Sequence, residues 1–329
     1  MNKNNQSRTI VTSKYIFVFV GAVILLTVIV WKHNYDLRIL KQEYISANNI
    51  QVTKVANSIE DNFKLFKQGL QTIAHLPDVK DINEDGSNVG SNAKISIQEI
   101  YNALAANITV SEIYITTSHL GEHDEKNLVF NNVHSPVLSF DNEMDGSFHD
   151  DSSELEEYKL IASQTAWANK YFPEYLEHNE KQFVSGPEVQ ICDSRTIPDV
   201  KRSKEKNKGI VLSTPFYGSD NKLRGMVSGI IQSDVVRKML PDKYLYLVNK
   251  TYGYSIGLRN EKNYQPDKEL LMNALPDNAL IYSNVMRVHL PDKSSEWYLW
   301  AGYPDSLFWE QNMVKSDNKF LALTLTMVV

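Results

Sequence analysis

Apolar and polar positions along this chain fall into three regimes, and the first is the most regular. From Tyr15 to Trp31 the run YIFVFVGAVILLTVIVW holds seventeen residues without a charge, closed by an aromatic residue at each end. As a helix that is just long enough to cross the hydrocarbon core of a bilayer, with Tyr15 and Trp31 at its interfaces. Past Lys32 the apolar residues continue at Leu37, Leu40, Tyr44 and Ala47, then at Val52, Val55, Ile59, Phe63, Phe66, Leu70 and Ile73. Spacings of three and four predict one amphipathic helix over Leu37–Leu76, with no Gly or Pro before Gly69 and Pro77. Such a helix is roughly 60 Å long. The spacing slips to five between Ala47 and Val52, which a strict coiled coil would not do. The helix is therefore expected to pack on its own domains along part of its length and to dimerise along the rest.

The second regime opens with a turn-rich loop, DINEDGSNVGSN, and a short helix near Ile95–Asn107 carrying Ile97, Ile100, Ala103 and Leu104. A strand follows at Glu112–Thr117. Residues 118–157 are polar and acidic and read as a solvated loop entering a helix over Leu155–Tyr175, with Leu160, Trp167 and Tyr171 on one face. Strands are predicted at Phe183–Ile191, Gly209–Tyr217 and Leu223–Gln232, the last two joined by the hairpin turn Gly218–Asn221. Ser233 or Asp234 is the expected cap of a short helix ending at Leu240. The third regime is a smaller version of the same theme. It has strands at Tyr244–Asn249, Tyr252–Leu258, Ala279–Leu290 and Glu296–Tyr303, with a helix near Lys268–Leu275. The class is α+β, two antiparallel-sheet units behind a long helix. A last helix over Ser306–Asn318 runs into FLALTLTMVV. Those ten uncharged residues are too few to span a bilayer. They read as the start of a second transmembrane helix, and the chain as an N-terminal piece of a larger protein.

Composition narrows the class. The 329 residues fit about two domains plus anchors, and 42 % apolar with 22 % charged residues belongs to a folded chain. A net charge of -6 gives no reason to expect nucleic acid. Cys192 is the only cysteine, so neither an internal disulfide nor a cysteine-based zinc site can form. The apolar run is longer than a signal peptide's usual core, and no small-x-small cleavage site follows it, which favours an uncleaved anchor. Lys3, Arg8 and Lys14, with no acid among them, favour a cytoplasmic tail over 1–14; Lys32, Arg38 and Lys41 on the other side reduce that asymmetry.

Candidate chemistry is mostly excluded by context. Asp81-x-Asn83-x-Asp85-Gly86 begins like a calcium loop, but the twelfth position is Asn92 where a bidentate Glu is needed. His119 and His123 flank Gly121 and read as loop histidines. The basic stretch KRSKEKNK at 201–208 lacks interleaved aromatics and reads as solvated surface. Gly253-Tyr254-Ser255-Ile256-Gly257 spells a hydrolase nucleophile elbow, yet lies between two predicted strands with His289 the only histidine downstream. No motif asks for a cofactor or a metal, and the residues present are read as non-enzymatic. What remains is a small-molecule pocket, with polar and aromatic groups at positions that can share one cavity: Tyr114, Trp167, Tyr171, Ser185, Glu188, Asp193, Ser213 and Tyr217. The competing reading makes Trp167 and Tyr171 core, and Glu188 and Asp193 surface.

Four stretches, IAHLPDVKDIN, SEIYI, SGPEVQICD and STPFYGSDNKLRGMVSGIIQSDV, together with Trp297-Tyr298-Leu299-Trp300, give a resemblance to the double-Cache sensors of bacterial transmembrane receptors. It covers about Leu37 to Asp317. The resemblance implies a tail (1–14), a transmembrane helix (15–31), a long signalling and dimerisation helix (32–77) and a membrane-distal PAS-like ligand-binding unit (78–234). A membrane-proximal PAS-like unit (235–305), an exit helix (306–318) and a second transmembrane start (319–329) would follow. It implies a bacterial inner-membrane protein with a periplasmic sensor, a small ligand such as an amino acid or carboxylate, and a homodimer. A cytoplasmic diguanylate cyclase, histidine kinase or chemoreceptor output would lie beyond. Amino-acid binders of the family carry an Arg-x-Trp-Tyr-like cluster; here TAWANKYF lacks the Arg. The family's Asp at the end of the distal sheet matches Asp234, which also suits a helix cap. The rival expectation is a structural or partner-binding ectodomain without a small-molecule pocket, and a hydrolase would require Ser255 to be essential.

Overall fold

The computed structural model describes residues 3–83, 86–108, 110–118, 138–140, 152–171, 183–191, 208–258, 266–292 and 295–328. Two compact units divide the chain: Met1–Gln51 with Asp277–Asn284 and Gly302–Val329, and Val52–Pro276 with Val285–Ala301. Helix α1, Lys3–Ala74, contributes to both and is unbroken, so the slip between Ala47 and Val52 leaves no interruption in its backbone.

In the first unit, α1 exposes Phe19, Val20, Val23, Ile24, Leu25, Val28, Val30 and Trp31. By length and composition it is long and apolar enough to cross a membrane. Further along, Tyr44 is buried against Phe308 (ring centroids 5.4 Å) and edge-on to Tyr282 (6.4 Å). The Tyr282 hydroxyl donates to Asn49 Oδ1 at 3.0 Å, and Asn284 Nδ2 donates to the same atom at 2.9 Å. His33 Nδ1 lies 2.6 Å from Asp317 Oδ2. The single exit helix expected over Ser306–Asn318 is instead two, α7 (Asp305–Trp309) and α8 (Asn312–Val328). Phe308 and Val314 are both buried. Six residues apart, they would point to different sides of one helix at 3.6 residues per turn, so the chain breaks between them.

The second unit holds one antiparallel sheet and most of a second. Its first has the strand order β2-β1-β5-β4-β3, built from β1 (Val110–Thr117), β2 (Leu138–Phe140), β3 (Val184–Gln190), β4 (Lys208–Tyr217) and β5 (Leu223–Gln232). The three-residue β2 falls inside what reads in sequence as a solvated loop; it is too short to leave a period. Helices α2 (Pro77–Lys80) and α3 (Ser91–Ile108) follow α1, and α4 spans Ser152–Tyr171. One face of the sheet receives α1: a Cβ on Gly229 would sit 2.5 Å from the Phe66 ring, so glycine permits that close approach. The other face receives α4, where Ile161 packs with Tyr114, Val211 and Ile230. Covered on both faces, β1 is buried throughout and β4 almost so, which is why β4 reads as a continuous apolar run.

The second sheet has the order β7-β6-β9-β8, from β6 (Leu245–Asn249), β7 (Tyr254–Gly257), β8 (Tyr282–Val288) and β9 (Trp297–Tyr303). Helix α6 (Lys268–Met272) places Leu271 against Val248 and Trp300. Ser255 sits within β7 opposite Val248, in a hairpin strand as expected and not on a strand-to-helix turn.

Between the sheets, α5 (Ser233–Met239) departs from expectation at its cap. Gln232 occupies the cap position and no side chain bonds there. The Ser233 hydroxyl donates instead to Glu188 Oε1 at 2.5 Å, and the Asp234 carboxylate pairs with Arg237. The loop with half a calcium motif is closed by Asn88, whose side chain donates to the Asp81 carbonyl (2.6 Å) and accepts from Asn83 N (2.8 Å). Asp85, His119, His123, Cys192 and residues 201–207 lie outside the described residues.

Candidate ligand-binding site

Strand register builds a polar row on the α4 side of the first sheet. Tyr114 of β1 pairs with Ser228 of β5, and Ser228 with Ser213 of β4. The Ser213 and Ser228 hydroxyls are 2.7 Å apart. Gln164 of α4 reaches the same row: its Oε1 accepts from the Ser213 hydroxyl and its Nε2 donates to the Val211 carbonyl at 3.3 Å. These side chains are buried, and so are Thr165 of α4 and Glu112 and Glu157. The Tyr114 phenol bonds the Glu112 carboxyl and lies 3.0 Å from Glu157 Oε2. A phenol has one proton and can donate to one acceptor at a time, so it serves one of the two carboxyl groups at once.

An aromatic patch adjoins the row toward the end of α4. Trp167 and Tyr171 are in tilted contact at 5.1 Å. Trp167 packs on Ala168, Tyr217, Leu223 and Met226, while Tyr171 is half exposed. Asn169 donates to the Ser118 carbonyl at 3.2 Å and holds the helix end to the strand end.

Of the eight residues singled out in sequence, Tyr114 and Ser213 share the row, and Trp167, Tyr171 and Tyr217 form the patch. Ser185 and Glu188 are elsewhere: β3 aligns Ser185 with Leu212 and, after an irregularity between the two, Glu188 with Ile210, both off the row. Ser185 bonds Asp292 and Ser295; Glu188 accepts from Ser233 and from Lys208 Nζ at 3.4 Å. Asp193 lies outside the described residues. Gln164, Ser228, Glu112 and Glu157 were not singled out. Ser228 faces Ser213 only because the β4–β5 ladder shifts by one residue between Phe216 and Tyr217, which the turn Gly218–Asn221 does not announce, and the carboxylates had no signal either. Beside Ser185, burial pushes the Tyr252 and Tyr254 phenols up, helped for Tyr252 by Asp292 and for Tyr254 by Glu188. Among the described residues no group of three His, Cys, Asp or Glu side chains is placed to hold a metal ion.

No protein-family model matches the sequence, and no curated protein matches it. Solved structures do. The chain is similar to methyl-accepting chemotaxis protein X, at 12 % identity and TM-score 0.48, over 80 % of this chain and 98 % of that one. It is similar to the periplasmic sensory domain of the Campylobacter jejuni chemoreceptor Tlp1, at 10 % and 0.47, over 82 % and 98 %. It is also similar to an extracellular ligand binding receptor from Desulfohalobium retbaense, at 11 % and 0.47, over 77 % of this chain and 39 % of that one. These are likenesses of fold. A long N-terminal helix followed by two antiparallel sheets is the arrangement expected from the sequence.

Proposed function

We propose that this chain is the extracytoplasmic sensing region of a bacterial transmembrane receptor and binds a small metabolite on the α4 side of the first sheet. The observation that carries the reading is the row Tyr114, Ser228, Ser213 and Gln164, polar and buried among apolar neighbours. Burying hydroxyls, an amide and carboxyl groups stabilises a fold less than apolar filling of the same volume would. A set concentrated in one place is therefore better explained by a ligand it serves. Tyr114, Ser213 and Gln164 are its polar contacts, and Trp167, Tyr171 and Tyr217 its wall. Buried hydroxyls and an amide beside an aromatic wall suit a small polar metabolite, an amino acid or a carboxylate among them. Ser185 bonds Asp292 and Ser295, Glu188 bonds Ser233 and Lys208, and neither touches the ligand.

The apolar part of α1 crosses the inner membrane, with the tail cytoplasmic and the sheets periplasmic, and two protomers pair along α1. Ligand binding shifts the receptor only by the difference in its affinity for two states. Continuous from Lys3 to Ala74, α1 is the element able to carry that difference to a cytoplasmic output, a diguanylate cyclase, a histidine kinase or a chemotaxis module. The test is a metabolite screen on the full chain in nanodiscs. A ligand at about 100 times its Kd adds about 2.7 kcal/mol and raises Tm by several degrees. Ser213→Ala and Gln164→Ala should remove that shift. A screen without hits, or hits indifferent to both substitutions, defeats the proposal.

A further inference from the structure

On the α1 side of the same sheet lies a recess that shares only Tyr217 with the sensing site. It has a volume of about 130 Å³ and is bounded by Gln71, Ala74 and His75, by Lys80, and by residues 214–218 and Asn221 of the β4–β5 hairpin. Its floor is apolar and fixed. Ala74 and Phe216 are buried, and the Phe216 ring lies against Gly225, where a Cβ would come within 2.8 Å of it.

The rim is polar and one-sided in charge. Lys80 makes no ion pair among the described residues, and the Gln71 and Asn221 side chains make no hydrogen bond there. His75 Nδ1 is 2.6 Å from the Gln71 carbonyl and donates to it, which fixes the ring at the rim. No described carboxylate lines the recess. The nearby acids are engaged elsewhere: Asp78 accepts from Gly90 N at 3.2 Å, and Asp220 pairs with Arg224 at 3.0 Å.

An ammonium and two amides around an apolar floor match a small organic anion. Metal cations find no carboxylate here, and inorganic phosphate would leave the floor unused. At about 30 Å³ per water the recess holds about four waters, the bulk of a short-chain acid. We infer that it is a second binding site, separate from the sensing site, for a carboxylate of about two to four carbons. Lys80 is its counter-ion, Gln71 and Asn221 its hydrogen-bond donors, and Phe216 its apolar floor.

The experiment is isothermal titration of the detergent-solubilised full chain with sodium acetate, propionate and succinate, against sodium chloride at matched ionic strength. Wild type should bind at least one acid saturably. Lys80→Gln and Asn221→Gly should each weaken binding about tenfold, and Lys80→Arg should retain it. Asn221 has φ 61°, so glycine keeps the turn while removing the amide. Ser213→Ala and Gln164→Ala should leave the titration unchanged, which separates this site from the sensing site. Three results overturn the inference: no saturable binding above the chloride control, binding that survives both Lys80→Gln and Asn221→Gly, or binding lost with Ser213→Ala.

Discussion

Ser185 and Asp292, 107 residues apart in sequence, are directly bonded: Asp292 Oδ2 accepts from Ser185 N at 3.2 Å and from the Ser185 hydroxyl. The Ser295 hydroxyl donates to the same oxygen at 2.6 Å. Tyr252 adds a hydrogen bond to the Ser185 carbonyl at 3.1 Å. The free edge of the first sheet is thereby satisfied by groups of the second, which also blocks its pairing with another strand.

Asp292→Ala removes the acceptor of three donors; the Ser185 and Ser295 hydroxyls, 2.9 Å apart, can bond each other, so Ser185 N and one hydroxyl are left unpaired in a buried place, at about 1–3 kcal/mol each. The expected result is a clear drop in the urea midpoint of the full chain. Asp292→Asn keeps an acceptor oxygen and should lose less. A change for Asp292→Ala within about 0.5 kcal/mol, the range of a plain surface substitution, would contradict the joint described here.

The polar row should behave as one unit. Gln164 and Ser213 share a hydrogen bond across the α4–β4 interface. In a double-mutant cycle, Gln164→Ala and Ser213→Ala should couple by about 0.5–3 kcal/mol, whereas Gln164→Ala with Asp292→Ala should be additive. Additive behaviour within the row would mean that the two side chains stabilise the fold independently.

Much of this fold was legible because its long elements are periodic. The α1 stripe from Val52 to Ile73 is the stripe that is buried, and β5 has the limits expected of it, Leu223–Gln232. The losses have specific causes. β2 is too short to show a period, and the break between α7 and α8 answers to the separate burial of Phe308 and Val314, a tertiary demand. At the site, Tyr114 and Ser213 were legible as polar interruptions of apolar strands. Glu188 was misplaced by the irregularity in β3 between Ser185 and Glu188, because one extra residue turns every following side chain to the other face; Ser185, before it, is opposite Leu212 and off the row in either case. Glu112 and Glu157 could not be found from spacing: their meeting at Tyr114 spans 43 residues, from Tyr114 to Glu157, and depends on α4 docking on the sheet.

Gly225 is the position least able to accept a side chain. A Cβ there would lie 1.8 Å from the Thr116 carbonyl oxygen, a backbone atom of the paired strand, and 2.8 Å from the Phe216 ring. Backbone cannot rotate away as a side chain can, so Gly225→Ala should cost at least the roughly 1–3 kcal/mol of ordinary overpacking. Gly21→Ala is the control, because nothing lies within 4 Å of its Cβ position and it sits in a helix. It should be neutral or slightly stabilising. Thermal unfolding of both variants decides the matter: similar Tm values would contradict the strand packing around Gly225.

Alkaline unfolding should report on Tyr282. Burial raises its pKa, Tyr44 adds to the effect and the Asn284 hydrogen bond opposes it, leaving a pKa of about 12 against the ordinary 10.0. The unfolded phenol therefore ionises first. Below pH 10 both states keep the proton and the stabilisation is complete; between pH 10 and 12 the unfolded state loses its proton while the folded state holds on, and stability falls. Tyr254 is raised in the same direction by burial and by Glu188, so it shares this alkaline limb. Tyr282→Phe should lower stability at pH 8, because the bond to Asn49 is lost, and should flatten the fall between pH 10 and 12 without abolishing it. Urea midpoints across that interval test both parts. A variant with an unchanged alkaline slope would mean that the Tyr282 phenol is not held neutral by its surroundings, and the packing of Tyr44 and Asn49 around it would be wrong.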